Sequence, residues 1–177
     1  LGEISHIVLH GPAVLTTPAL HECFRRELPV SYHSYGGWFL GHTTGVGHRN
    51  IETRIHQFRA ADDRNRCLKL ARRLVAAKIR NGRVLIQRNW KGDAEALQPV
   101  TAGMRQDART SLNAKSLEQL LGIEGTAAAR YFGAFAGMLS RPQEFDFKGR
   151  NRRPPRDPVN ALLSMGYSML VREWVVT

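Results

Sequence analysis

Cysteine is nearly absent: Cys23 and Cys67 are the two found in 177 residues, and they form no CxxC pair. That argues against a disulfide-stapled scaffold or a cysteine zinc site, and it suits a reducing cytoplasm. No apolar run approaches the ~20 residues of a membrane span. No signal peptide opens the chain. Acidic residues are scarce beside basic ones, 15 Asp plus Glu against 26 Lys plus Arg, for a formal net charge of +11. A polyanionic partner follows from that balance, because each neutralised phosphate releases condensed counterions; the alternative is a soluble protein that happens to be basic. The 42% hydrophobic fraction is enough for a real core and argues against disorder. Internal repeats and low-complexity tracts are also missing. The chain opens on Leu1 rather than methionine, and Arg172 to Thr177 carry no helix-stop signal. Both ends therefore read as cuts through structure.

What is present reads as α+β, with a small amino-terminal β-rich domain over 1–48 and a larger helical domain over 49–177. Ile4 to Leu9 is a short apolar run, plausible as a strand, and Gly11-Pro12 breaks it. Thr16-Thr17-Pro18 opens a helix, with a hydroxyl able to cap it and proline at its first position. Ala19, Leu20, Cys23, Phe24 and Leu28 recur at helical spacing, and Pro29 ends the segment. Val30 to His33 reads as a strand, Gly36-Gly37 as a turn and Trp38 to Leu40 as another strand. The glycines from Gly45 mark the boundary. Beyond it, helices are expected over about 52–61, 64–80 and 107–113. Ser116 to Gln119 fits a capping box. The helix it opens is expected to break at Gly122, and a new one to run from Ile123 or Glu124 to about Leu139. A basic loop, Arg141 to Arg156, leads to a last helix started by Asp157-Pro158.

Between Arg49 and Arg88 twelve Lys or Arg face three acidic residues. At 100° per residue, Leu68, Ala71, Leu74 and Val75 make an apolar stripe, and Arg66, Lys69, Arg73 and Arg80 fall together on the opposite side. A solvated face usually mixes both signs, so a one-sided stripe favours contact with phosphates. Lys78 lies at the angle of the apolar stripe; either its stem is buried and its ammonium snorkels to water, or it points into a DNA groove. The stretch from Lys148 to Arg156 is a candidate phosphate-binding loop, because the forked donors of Arg150, Arg152 and Arg153 suit phosphate oxygens. A solvated linker is the plainer reading, but Phe145 and Phe147 stand beside it as anchors. Glu124 sits where the apolar face of Ala128, Tyr131 and Phe135 begins. It is either a first-turn partner of the helix dipole or a metal ligand. Asn160 and Tyr167, seven residues apart, share an inward helix face, as site neighbours or as ordinary packing. The seven histidines lack the i, i+4 helical arrangement of HExxH, and none is assigned to metal.

The segment "LLGIEGTAAARYFGAFAGML", followed by "FDFKGRNRRPPRDPVNALLSMGYSML", resembles the helical domain of the CRISPR-associated spacer-acquisition integrases, the Cas1 family. "HGPAVLTTPALHECFRRELPVSYHSYGGWFLG" is similar to that family's amino-terminal strand domain, and "RIHQFRAADD" and "LARRLVAAKIRNGRVLIQRN" to its first core helices. The resemblance covers essentially the whole chain. It implies a β domain that forms a homodimer and a helical catalytic domain acting on double-stranded DNA. It implies a divalent ion, magnesium or manganese, held by a Glu, a His and an Asp. The Glu of the family's "EG" pattern is Glu124-Gly125 here, and the His and Asp are expected beyond Thr177. The implied reaction is transesterification: the 3′-hydroxyl of a captured DNA fragment attacks a phosphodiester at a CRISPR repeat. Association with Cas2 is implied, and the "SYHSYGGWFLG" version of the β domain resembles members associated with or fused to Cas4. The rival readings are a non-catalytic DNA-binding scaffold of the same fold and a helical RNA-binding domain.

Overall fold

The computed structural model describes residues 4–46, 51–141, 143–151 and 154–176. In chain order the elements are β1 (Ile7–His10), α1 (Thr17–Arg25), β2 (Val30–His33), β3 (Phe39–Thr43), α2 (Ile51–Asp62), α3 (Arg64–Asn89), α4 (Ala94–Leu112), α5 (Leu117–Ala134), a 3-10 turn (Phe135–Met138) and α6 (Pro158–Val176). One small sheet followed by helices is the α+β class the sequence implies. The chain divides into two compact units, residues 1–49 with 151–177, and residues 50–150.

In the first unit the strands lie in the order β1-β2-β3. β1 and β2 are parallel, from Ile7 opposite Val30 to His10 opposite His33. A parallel pair needs a crossover, and α1 supplies it. Pro18 sits in the first turn of α1, where its missing N–H costs nothing, but Thr16 makes no side-chain capping bond. β3 returns antiparallel to β2, with an irregularity between Tyr32 and His33. α6 packs on β3, and the Ser168 hydroxyl accepts the Phe39 N–H at 2.8 Å, satisfying a strand donor that no further strand takes up. Arg172 is buried in this unit and contacts the His6 ring and its neighbour Glu173. The single boundary at 48/49 put residues 151–177 with the other helices. In the structure they group with the sheet, where Ser168 bonds β3 and Arg172 contacts His6 ahead of β1.

In the second unit α3, α4 and α5 enclose a core of Ile79, Ile86, Met104, Ala108, Ala127 and Ala134. The three run up, down and up. Lys78 meets Glu124 and Gly82 meets Tyr131 along α3 and α5, and just past their ends Trp90 meets Gly137 of the 3-10 turn. The register is set by close approach at two glycines. A Cβ on residue 82 would stand 3.2 Å from the Tyr131 ring, and one on residue 137 would overlap the Trp90 indole. The Trp90 indole N–H donates to the Asp93 carbonyl at 2.9 Å, which fixes that ring.

Several local expectations change here. The helix read as 64–80 continues to Asn89. The segment 107–113 is the end of α4, which starts at Ala94 behind an Asp93 cap and runs through Pro99. The break at Gly122 does not occur: α5 is continuous from Leu117 to Ala134. Leu74, placed on the apolar stripe of α3, is 57% exposed, and the buried line runs instead through Ala76, Ile79 and Ile86.

Candidate carboxylate site and basic surface

Glu124 gains its surroundings from the continuity of α5. The helix starts at Ser116, whose hydroxyl accepts the Gln119 N–H at 3.2 Å, while the Gln119 side chain accepts the Lys115 N–H at 2.6 Å. Glu118 occupies the first turn, and its own backbone N–H, then the Ser116 hydroxyl, lower its pKa. Glu124 lies two turns further in. The attraction of a helix N-terminus fades within the first turn, so the dipole-partner reading of Glu124 fails. Its partner is Lys78 on α3: Nζ to Oε1 is 2.6 Å, with the side chains 56% and 29% exposed. The Lys78 ammonium lies on Glu124 while its side chain stays 56% exposed, a contact that neither alternative for Lys78 anticipated.

The basic stripe is arranged as the spacing predicts, with Arg66, Lys69, Arg73 and Arg80 all exposed. Arg66 lies 3.8 Å from Asp63 Oδ2, and the Asp63 carboxylate also caps α3 by accepting the Asn65 and Arg66 N–H groups. Lys69, Arg73 and Arg80 form no ion pair among the described residues.

The arginine loop has a built neck. Asn151 N–H donates to the Asn160 side-chain oxygen at 3.0 Å, and the Asn151 amide donates to Asp157 Oδ2 at 3.1 Å. Arg156 N–H donates to the Asn151 side-chain oxygen at 2.8 Å, so both ends of the loop meet on one side chain. Asp157 caps α6 by accepting the Asn160 N–H at 2.8 Å, and it also accepts the Asn160 amide at 2.6 Å. The Asn160 amide is the largest cause of a lowered Asp157 pKa, with the Asn160 backbone N–H and the Asn151 amide adding to it. Arg152 and Arg153 lie outside the described residues, and Arg150 is half-buried. Earlier in the chain, within the second unit, Phe147 is buried, its ring centroid 4.8 Å from that of Phe135, whereas Phe145 is 38% exposed.

Asn160 is fully buried and bound up in this neck, whereas Tyr167, on the same helix, is 40% exposed. Seven residues apart, they lie on one side of α6, closed over at Asn160 and partly open at Tyr167. Sequence reasoning missed Asn151 and Asp157 as a pair; the signal was present in Asp157 and Asn160 three residues apart at a helix start. The second unit brings Lys78 and Glu124 together, and the neck belongs to the first unit.

A Glu with one lysine does not make a metal centre. Among the described residues no three His, Cys, Asp or Glu side chains come close enough to hold an ion. The residues present therefore do not fit a divalent ion by themselves. Cys23 and Cys67 are free thiols. No helix among the described residues is long and apolar enough to cross a membrane.

Fold and site together define an α+β protein with a one-sided basic helix and a carboxylate held across two packed helices. The family described as CRISPR associated protein Cas1 matches residues 1–177, and the chain belongs to that family. It is 54% identical, over 99% of its length, to a CRISPR-associated exonuclease Cas4/endonuclease Cas1 fusion of Geobacter sulfurreducens, of which it covers 33%. It is 40% identical, over 96% of its length, to a CRISPR-associated endonuclease Cas1 of Thermus thermophilus, covering 48% of that protein. The chain thus spans a third to a half of these relatives. Among solved structures, a chain of a Cas6-RT-Cas1–Cas2 complex superposes with a TM-score of 0.76 at 30% identity, covering 94% of this chain and 18% of that one. A casposase bound to integration product shares the fold, with a TM-score of 0.70 at 24% identity, covering 95% of this chain and 47% of that one.

Proposed function

We propose that this chain is the DNA-gripping and carboxylate-bearing part of a CRISPR adaptation integrase acting in the cytoplasm. One observation carries the reading: the whole chain matches the Cas1 family, and Glu124 of its "EG" pattern stands on a packed helix face in the unit that also bears the basic stripe. The reaction is a phosphoryl transfer in which a DNA 3′-hydroxyl oxygen bonds to phosphorus and the phosphodiester P–O bond to the leaving strand breaks. Arg66, Lys69, Arg73 and Arg80 hold duplex phosphates, and the arginines of the 150–156 loop hold others. Glu124 acts as one ligand of magnesium or manganese, the other ligands coming from outside the described residues, since carboxylate oxygen is the donor these ions prefer. Homodimerisation through the β domain belongs to the same reading. The names of related proteins support Cas2 and Cas4 as partners.

A DNA-binding scaffold without chemistry is the second reading, and the Lys78–Glu124 pair favours it, because a carboxylate neutralised by lysine needs no metal. One experiment separates the two. In the full-length protein, Glu124→Ala abolishes strand joining and nicking of branched duplexes and leaves duplex affinity within about twofold. Joining near the parent rate would remove Glu124 from the chemistry. A competition between duplex DNA and RNA of equal length tests the RNA-binding rival, with DNA expected to win.

A further inference from the structure

Arg172 is the one buried Lys or Arg among the described residues, 7% exposed, and the DNA chemistry proposed above gives it no task. A guanidinium only donates hydrogen bonds. Nη1 of Arg172 meets His6 Nε2, Nη2 meets Glu173, and Nε is buried with no partner among the described residues. Because Arg172 donates, His6 Nε2 accepts, so the ring is neutral and carries its proton on Nδ1. The buried Ser31 hydroxyl on β2 stands 3.4 Å from the same nitrogen. No carboxylate among the described residues pairs with His6, and Glu173 is spent on the guanidinium. The other titratable rings of the sheet are engaged elsewhere: His10 stacks on His33 with centroids 4.8 Å apart, and His42 stacks on Phe39. Burial, and then the Arg172 charge, lower the His6 pKa from its ordinary value.

We propose that His6 and Arg172 form a proton-sensitive latch that holds the carboxy-terminal half of α6 on the sheet, closed while His6 is neutral and opened when a proton takes its Nε2 lone pair. The rest of the contact is insensitive to pH. Ser168 accepts the Phe39 N–H, and a Cβ on residue 37 would stand 3.7 Å from Met165. Met165, Ser168 and Arg172 follow one another on one side of the helix. The first two hold β3, and Arg172 reaches the approach to β1. A protonated His6 would aim an N–H at the buried guanidinium, setting two donors and two positive charges together with no acceptor between them. The sign follows from linkage. The unfolded chain takes up the proton near pH 6.5 and the closed latch resists it, so stability is full above that value. It is lost as pH falls through the unfolded value and down to the lowered folded one. Asn160 lies ~18 Å back along the helix, so the neck of the arginine loop stays closed when the latch opens.

The test is amide hydrogen exchange read by mass spectrometry on the full-length protein at about pH 7.5 and about pH 5.5, corrected for the intrinsic pH dependence of exchange. In the parent, protection of residues 165–175 is expected to fall roughly tenfold on acidification, the loss of one hydrogen bond to a charged group, while residues 157–162 keep theirs. His6→Gln retains an acceptor oxygen and takes no proton, so its protection should stay within about twofold between the two pH values. Arg172→Met should show low protection of 165–175 at both. Equal protection of the parent at both pH values, or an acid loss in His6→Gln as large as in the parent, overturns the latch. Exchange of the His6 C2 hydrogen, followed across pH in the parent, gives its titration midpoint without any variant and decides the matter should His6→Gln fail to fold. The latch requires a midpoint below the ordinary histidine value that rises in Arg172→Met; a midpoint at or above that value in the parent overturns it.

Discussion

Neutralising the stripe on α3 gives a prediction whose size comes from the geometry. Arg66, Lys69, Arg73 and Arg80 fall within roughly 60° of arc at 100° per residue. They span ~21 Å of helix axis, about the rise of six base pairs of duplex. One face can therefore meet one stretch of phosphate backbone without bending either partner. Each phosphate neutralised contributes about 0.9 to the fall of log affinity per log unit of salt. Four contacts would give a slope component of about 3.6. Arg66 is partly engaged by Asp63 at 3.8 Å, so three full contacts, about 2.7, set the lower bound. Replacing all four by Gln in the full-length protein should flatten the salt dependence by an amount between these figures. The assay is fluorescence anisotropy with a labelled duplex across 50 to 400 mM salt. Melting temperature serves as the control, since the four side chains are exposed and their loss leaves the core intact. A slope unchanged within about 0.5 would take α3 out of the interface. Arg152→Ala with Arg153→Ala should remove up to about 1.8 more from the slope if the loop grips phosphates as well.

Other outcomes follow from the neck and from the close packing of α3 on α5. The Asp157 carboxyl is held below the usual range by the amide and backbone N–H of Asn160 and by the Asn151 amide. A depressed folded pKa stabilises the protein above the unfolded carboxylate pKa, and that stability is lost as pH falls through the folded value. Melting temperature should thus drop as pH goes below about 4, more gently in Asp157→Ala, and an identical pH profile in the variant would deny the neck its role. Gly137→Ala forces a methyl into the Trp90 indole. Overpacking of this kind costs about 1–3 kcal/mol, or roughly 2–4 °C of melting temperature per kcal/mol at this size. The tryptophan emission should shift with it, and an unaltered melt and spectrum would show that the two helices are not registered there.

How much of this was legible in the sequence depended on whether its cause was local. β2 was read as Val30 to His33, the Ser116 cap was found, and so was the Asp157-Pro158 start of α6, because hydroxyl, carboxylate and proline act within three or four residues. The body of α4 was not seen; the expected helix covered only 107–113, and the structure starts it at Ala94. At the sixth helical position Pro99 removes the N–H that would bond the residue 95 carbonyl, yet α4 runs on through it. Gly122 was read as a break, but a glycine inside a helix costs only about 1 kcal/mol, less than the packing of Leu120 and Ala127 on either side supplies. That error mattered for the site, because it placed Glu124 in a first turn it does not occupy. The partner of Lys78 could not be read from periodicity. It lies on another helix, and the two glycines that set the register carry no side chain for a pattern to show. The association of α6 with β3, through Ser168 and Phe39, is longer in range still.

The central claim is that Glu124 donates its carboxylate to a divalent ion, and the most direct test is to locate that ion. Crystals of the full-length protein grown or soaked with manganese, measured at the manganese absorption edge, would show it by anomalous scattering. The account predicts a peak within coordination distance of a Glu124 carboxylate oxygen, with the remaining ligands drawn from outside the described residues. A protein that joins DNA in manganese yet shows its peaks elsewhere, with Lys78 still on Glu124, would contradict it.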